Sequence, residues 1–208
     1  MNGIEIGVLA STIAVFAMSC GLAALITMRY AKGKRQSHAF WGAGMWTFAF
    51  SVFLEIVFAL GIYSRLLISI YLFSVVLLVV LLALGSIQLV KSRYAKTAFH
   101  FFAALSLAYA LYSIMTSSPG SLVSDYVVYG LPPMPIVISS SIATSVSAVV
   151  IAAVALAGYA RTRNARLLSI VAGVVVVSVA GTMYIASFPA FLYYAEFAGI
   201  LLLWIGFV

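Results

Sequence analysis

VVLLVVLLALG, residues 75–85, carries no charge and no alternation of apolar with polar positions. A barrel strand between lipid and a lumen alternates with a period of two, so this segment argues for a helix. Extended to roughly 66–90, the run is long enough to cross a hydrocarbon core of about 30 Å. Six further runs of similar kind flank it, at approximately 5–28, 39–62, 97–116, 136–158, 167–188 and 190–208. The expected fold is therefore all-α: one domain over 1–208, an integral membrane bundle of seven transmembrane helices. The five prolines (Pro119, Pro132, Pro133, Pro135 and Pro189) all fall between these runs or at their ends. Helices broken in mid-membrane are not foreshadowed.

Composition agrees with this reading. The chain is 65% hydrophobic and 7% charged, with a mean hydropathy of +1.22. A soluble domain carries roughly 25% charged residues, and this chain could not cover a water-facing surface. The single cysteine, Cys20, excludes an intramolecular disulfide. The first apolar run has no basic residue before it and meets Arg29 at once, which reads as a retained helix rather than a cleaved signal. No room is expected for a second, soluble domain.

The net charge of +7 would suggest nucleic acid or an acidic partner in a soluble protein, but the placement of the charges excludes nucleic acid here. Ten of the eleven Lys and Arg residues sit in three short loops. These are Arg29, Lys32, Lys34 and Arg35; Lys91, Arg93 and Lys96; and Arg161, Arg163 and Arg166. Only Arg65 lies on the other side. By the positive-inside rule the three loops are cytoplasmic, the N-terminus outside and the C-terminus inside. The expected location is the cell (plasma) membrane, as a multi-pass protein. The tetrapeptide RYAK occurs twice, at 29–32 and 93–96, with Tyr159-Ala160-Arg161 as a near-copy. Two crossings and two short loops give that spacing without duplication. RYAK then marks where odd-numbered helices leave the bilayer, with tyrosine at the headgroups and cations beyond. An ancestral triplication of a helix hairpin is the sharper alternative. The longest loop, 117–135, holds Asp125, Tyr126 and Tyr129 and is read as an ordinary outer connection, with a lid or docking surface as the alternative.

Ionisable residues inside a membrane are costly and default to functional candidates. Two are expected there, Glu55 in the second helix and Glu196 in the seventh. Both fall roughly 9–11 Å below the outer boundary at 1.5 Å per residue. If the second and seventh helices both neighbour the first, the two carboxyls share one outward-opening polar cavity. Two such groups do not both ionise readily in low dielectric, so the pair can hold a proton, a cation or a cationic substrate. Arg65 is a candidate counter-charge. Ser140 and Thr144, on one face of the fifth helix with Ser147, are candidates to line the same space. The plainer reading makes the glutamates and hydroxyls packing glue between helices.

No HExxH, GxSxG, Walker or dinucleotide fingerprint is present, and an enzyme is not expected. His38 and His100 begin the second and fourth helices without a third metal-type ligand nearby, so neither a metal nor a cofactor is expected. Seven helices with the N-terminus outside match the topology of microbial rhodopsins, but AFLYYAEFAGILLLWIGFV contains no lysine to hold retinal. Sugar-transporting SWEET proteins have a similar length, but their Pro-Gln motif is missing. HAFWGAGMWTFAFSVFLE with IYLFSVVLLVVLLALGSIQL resembles the second and third helices of a family of uncharacterised small polytopic membrane proteins. Trp46, Glu55, Gly85 and Ser86 carry that resemblance, which implies no activity. The tryptophan-then-glutamate pattern also loosely resembles seven-helix sensor regions of membrane histidine kinases.

The leading expectation is a small transporter or permease-like protein for protons, cations or a small solute. One alternative is a non-catalytic subunit or organiser of a larger membrane complex. Another is a sensor module acting through a separate partner. The contacts expected are the lipid bilayer and either further copies or other membrane subunits.

Overall fold

Seven helices form over the apolar runs: α1 (Gly3–Gly33), α2 (Gln36–Ala59), α3 (Arg65–Ile87), α4 (Arg93–Thr116), α5 (Met134–Thr162), α6 (Arg166–Ile185) and α7 (Pro189–Phe207). The computed structural model describes residues 3–62, 64–117, 123–124, 127–128, 132–185 and 189–207. Side chains are described for these except in 3–8, 123–128, 177–185 and 189–193. Five helices, α1 to α5, are long and apolar enough to cross a membrane. The described parts of α6 and α7 are apolar as well. Between α4 and α5 a minimal antiparallel hairpin joins β1 (Val123–Ser124) to β2 (Val127–Val128).

Local chemistry sets the ends. Ser64 and Ser92 cap α3 and α4, their hydroxyls accepting from the Leu67 and Ala95 amides at 3.3 Å. Pro135 sits in the first turn of α5, where a missing amide hydrogen costs nothing. Lys34 and Arg163 take left-handed conformations (φ 47° and 54°) at the ends of α1 and α5. Their amides donate to Tyr30 and Tyr159 carbonyls at 2.7 Å. The second RYAK departs from the sequence reading. The first copy lies in the last turns of α1, whereas Arg93–Lys96 opens α4. Identical tetrapeptides thus occupy opposite helix ends, so they mark no repeated structural unit.

Six helices close a ring. α1 packs on α2, α2 on α3, α3 on α5, α5 on α6, α6 on α7, and α7 back on α1. α4 lies outside the ring against α3 and α5. At the α1/α7 seam Trp204 donates its indole to the Met18 carbonyl at 3.0 Å, and the Arg29 guanidinium donates to the Phe207 carbonyl. The C-terminal ends of α1 and α7 therefore lie together.

The α2/α3 hairpin has a simple register: residues equidistant from position 63 meet. Gly44 is met by Leu82, Trp41 by Gly85, and Glu55 by Tyr71. At Gly44 the absent side chain lets α2 approach the Leu78 carbonyl of α3, 3.3 Å from where a Cβ would stand. Hydroxyls buried in the bundle turn back on their own helices. Ser51, Ser74 and Ser86 donate to the carbonyls of Thr47, Ile70 and Leu82 at 2.7–3.0 Å. In an apolar medium this satisfies the hydroxyl without an interhelical partner.

Candidate functional site

A cavity of about 390 Å³ runs inside the ring, lined from α2, α3, α5, α6 and α7. Its volume falls within the range of about 300–1,000 Å³ common for small-molecule sites. Glu55 and Glu196 both line it, so the two carboxyls share one space. This follows from the ring order, in which α1 contacts both α2 and α7.

Glu55 is 4% exposed. Its Oε1 accepts from the Tyr71 hydroxyl at 2.8 Å, and Tyr71 stands edge-on to Phe58 with ring centroids 5.6 Å apart. Its Oε2 is buried and has no hydrogen-bond partner among the described residues. Leaving a polar group buried and unpartnered costs about 1–3 kcal/mol, more for a charged one. Two other buried hydroxyls, Ser113 and Ser147, are also unpartnered among the described residues, but neither lines the cavity. Glu55 thus lines a space that can hold a ligand and keeps one buried oxygen without a partner among the described residues.

α2 ends at Ala59, earlier than the apolar run suggests, leaving Glu55 about 6 Å along the axis from that end. Glu196 is about 10 Å from the start of α7, close to expectation.

Thr144 lines the cavity, its hydroxyl donating to the Ser140 carbonyl at 2.8 Å. Ser140 does not line it and instead donates to the Ile136 carbonyl at 2.7 Å. The cavity face of α5 is Ser141, Thr144, Ser145, Ala148 and Ile151, which overlaps the anticipated 140/144/147 face only at Thr144. Ser147 belongs to a buried face with Ser139 and Ala143, none of which lines the cavity. Ser141 and Ser145 are exposed as well as lining, so the cavity is open beside α5. Arg65 is not in the cavity. It precedes Tyr71 by six residues, about 240° around the helix, and borders a separate groove with Leu66, Ile70, Leu111 and Met115 between α3 and α4.

Tyr71 is a cavity-lining side chain, bonded to Glu55, that the sequence reading does not single out. Its signal was present, since Glu55 and Tyr71 mirror each other across the α2/α3 turn. Trp41 was missed too. The tryptophan that contacts Gly85 and Ser86 is Trp41, with Nε1 donating to the Leu82 carbonyl at 3.2 Å and to Ser86 Oγ at 3.4 Å. Trp46 is about half exposed and donates to Thr27 Oγ1 at 3.1 Å. Trp41 also meets Phe207 edge-on at 5.0 Å, and both line the end of the cavity away from the glutamates.

The histidines stand apart from this site. His100 Nδ1 lies 2.7 Å from the Lys96 carbonyl and Nε2 lies 3.3 Å from Gln88 Nε2, while His38 packs edge-on to Trp41. Among the described residues no group of three His, Cys, Asp or Glu is placed to hold a metal. β2 lies against α2 and α7, the helices that carry the glutamates. Asp125, Tyr126 and Tyr129 lie outside the described residues, as do the side chains of Tyr184 and Tyr193.

Comparison with protein-family models, curated proteins and solved structures finds no match. The likeness of the second and third helices to small polytopic membrane proteins therefore rests on the residues quoted for it.

Proposed function

We propose that the chain crosses the plasma membrane seven times, N-terminus outside and C-terminus inside, and works as a small transporter. Protons, cations or a small solute would pass through the cavity that Glu55 and Glu196 line. The observation that carries this reading is the Glu55 carboxyl. It is buried, belongs to a residue that lines a cavity, and keeps one oxygen without a partner among the described residues. A carboxyl serving only as glue would spend both oxygens on neighbouring helices. Thr144 joins the pair as a lining hydroxyl, whereas Ser140 and Arg65 have no part in it. The distribution of cations among the loops supports the orientation.

The test is flux into proteoliposomes under an imposed pH gradient, read with an internal pH dye. Glu55→Gln and Glu196→Gln each abolish the pH-dependent component while the protein stays folded. Unchanged flux in both variants removes the mechanism.

A second reading draws on α4, which lies outside the ring and exposes Phe101, Leu105, Tyr112 and Met115. Such a face suits lateral docking in a larger membrane assembly. A fixed-stoichiometry complex in native mass spectrometry would favour it.

A further inference from the structure

The cavity is graded along its length. On α2 its lining extends from Glu55 to Trp41, about 21 Å along the helix axis. Glu55, Glu196, Tyr71, Ser51 and Thr144 cluster toward one end. Toward the other the lining is apolar, with Met45, Leu82, Ile170, Leu203 and Phe207. The polar atoms at that apolar end are already engaged. Trp41 Nε1 donates to the Leu82 carbonyl and Ser86 Oγ, and Ser86 donates to the Leu82 carbonyl at 2.9 Å. A hydrated ion would find partners in one half only. No lysine or arginine is among the described residues that line the cavity, while two carboxyls are, so the lining favours a ligand that brings a positive charge over one that brings a negative charge.

From these features we infer that the cavity binds an elongated cationic amphiphile, a primary amine whose ammonium head sits between Glu55 and Glu196 and whose apolar tail runs toward Trp41 and Phe207. An ammonium brings three donors and no acceptor, which complements the two glutamates that line the polar end. A carboxylate head would meet two carboxyls with no cation to offset them. The apolar half makes no demand for polar contact, so tail burial proceeds without stranding a protein group. The inference rests on the transport reading of this same cavity and names the class of molecule it takes.

The probe is dodecylamine carrying a terminal bromine, with the matched bromo-alcohol and bromo-acid, added to the protein in nanodiscs of zwitterionic lipid. Bromine quenches tryptophan at short range, and Trp41 lies at the tail end. The amine should give saturable quenching that disappears in Trp41→Phe, leaving the unsaturable background from Trp46 and Trp204. Losing one charge-assisted hydrogen bond should weaken the saturable component at least about tenfold in Glu55→Gln. The alcohol and acid should show background only. Ala148→Phe, which fills the cavity from α5, should lose the saturable component while unfolding at the wild-type temperature.

Equal, unsaturable quenching by all three probes would overturn the inference, as would a saturable amine site that survives both Glu55→Gln and Glu196→Gln. Proteoliposome flux without amine separates the two ideas. Carboxyl-dependent flux with no saturable amine site leaves transport standing and removes the amphiphile. A saturable amine site with carboxyl-independent flux leaves the site standing and removes transport.

Discussion

Gly85→Ala should destabilise the bundle although alanine is the better helix former. Gly85 lies in α3 beneath the Trp41 ring of α2, and an added Cβ would stand 2.5 Å from Trp41 Nε1 and 2.9 Å from its Cγ. The ring has little freedom to retreat. Its indole donates to the Leu82 carbonyl and Ser86 Oγ, and Phe207 and His38 meet it edge-on at 5.0 and 5.7 Å. Overpacking of this kind costs about 1–3 kcal/mol. A displaced indole hydrogen bond adds about 0.5–1.5 kcal/mol. Replacing a mid-helix glycine returns about 1 kcal/mol. The net expectation is a loss of about 0.5–3.5 kcal/mol, read by equilibrium unfolding in mixed micelles followed by circular dichroism. The sign should reverse without the ring: in a Trp41→Ala background, Gly85→Ala becomes neutral or stabilising by up to about 1 kcal/mol. A Gly85→Ala protein as stable as wild type, or equal effects in both backgrounds, would refute the packing argument.

Other expectations follow from the same geometry. Tyr71→Phe removes a donor from the buried Glu55 carboxyl and should cost about 1–3 kcal/mol in the same unfolding assay. In a Glu55→Ala background, where no carboxyl remains to strand, the cost should be smaller. Arg65→Ala should leave proteoliposome flux at the wild-type level, because Arg65 borders the α3/α4 groove and not the cavity. A large loss of flux in that variant would argue that the groove belongs to the pathway.

The helices were legible because uninterrupted apolar runs need little context. α1 to α5 lie where 5–28, 39–62, 66–90, 97–116 and 136–158 placed them, within a few residues. The ends were less legible, since a helix can run past the lipid boundary while its residues become polar. α1 continues through Arg29 to Gly33, and α5 through Arg161 to Thr162. Helix order around the ring could not be read from hydropathy. Nothing in the composition of α4 says that it lies outside while α3 meets α5 directly. For the site, the two glutamates stood out as carboxyls in apolar runs. The face of α5 did not, because serines at 139, 140, 141, 145 and 147 populate nearly every direction around that helix. Small residues pack and polar residues line, and serine does both. The partners of α2 on α3 were recoverable in principle, because one mirror position pairs Glu55 with Tyr71 and Trp41 with Gly85.

The central claim is that Glu55 and Glu196 act as one coupled pair in a single cavity. Infrared difference spectroscopy of the carboxyl bands during a pH titration in native-like lipid tests it most directly. Wild type should show two buried carboxyl signals, and Glu55→Gln should remove one and alter the titration of the other, with Glu196→Gln doing the converse. Two signals that disappear independently, each leaving the other's titration unchanged, would contradict the account.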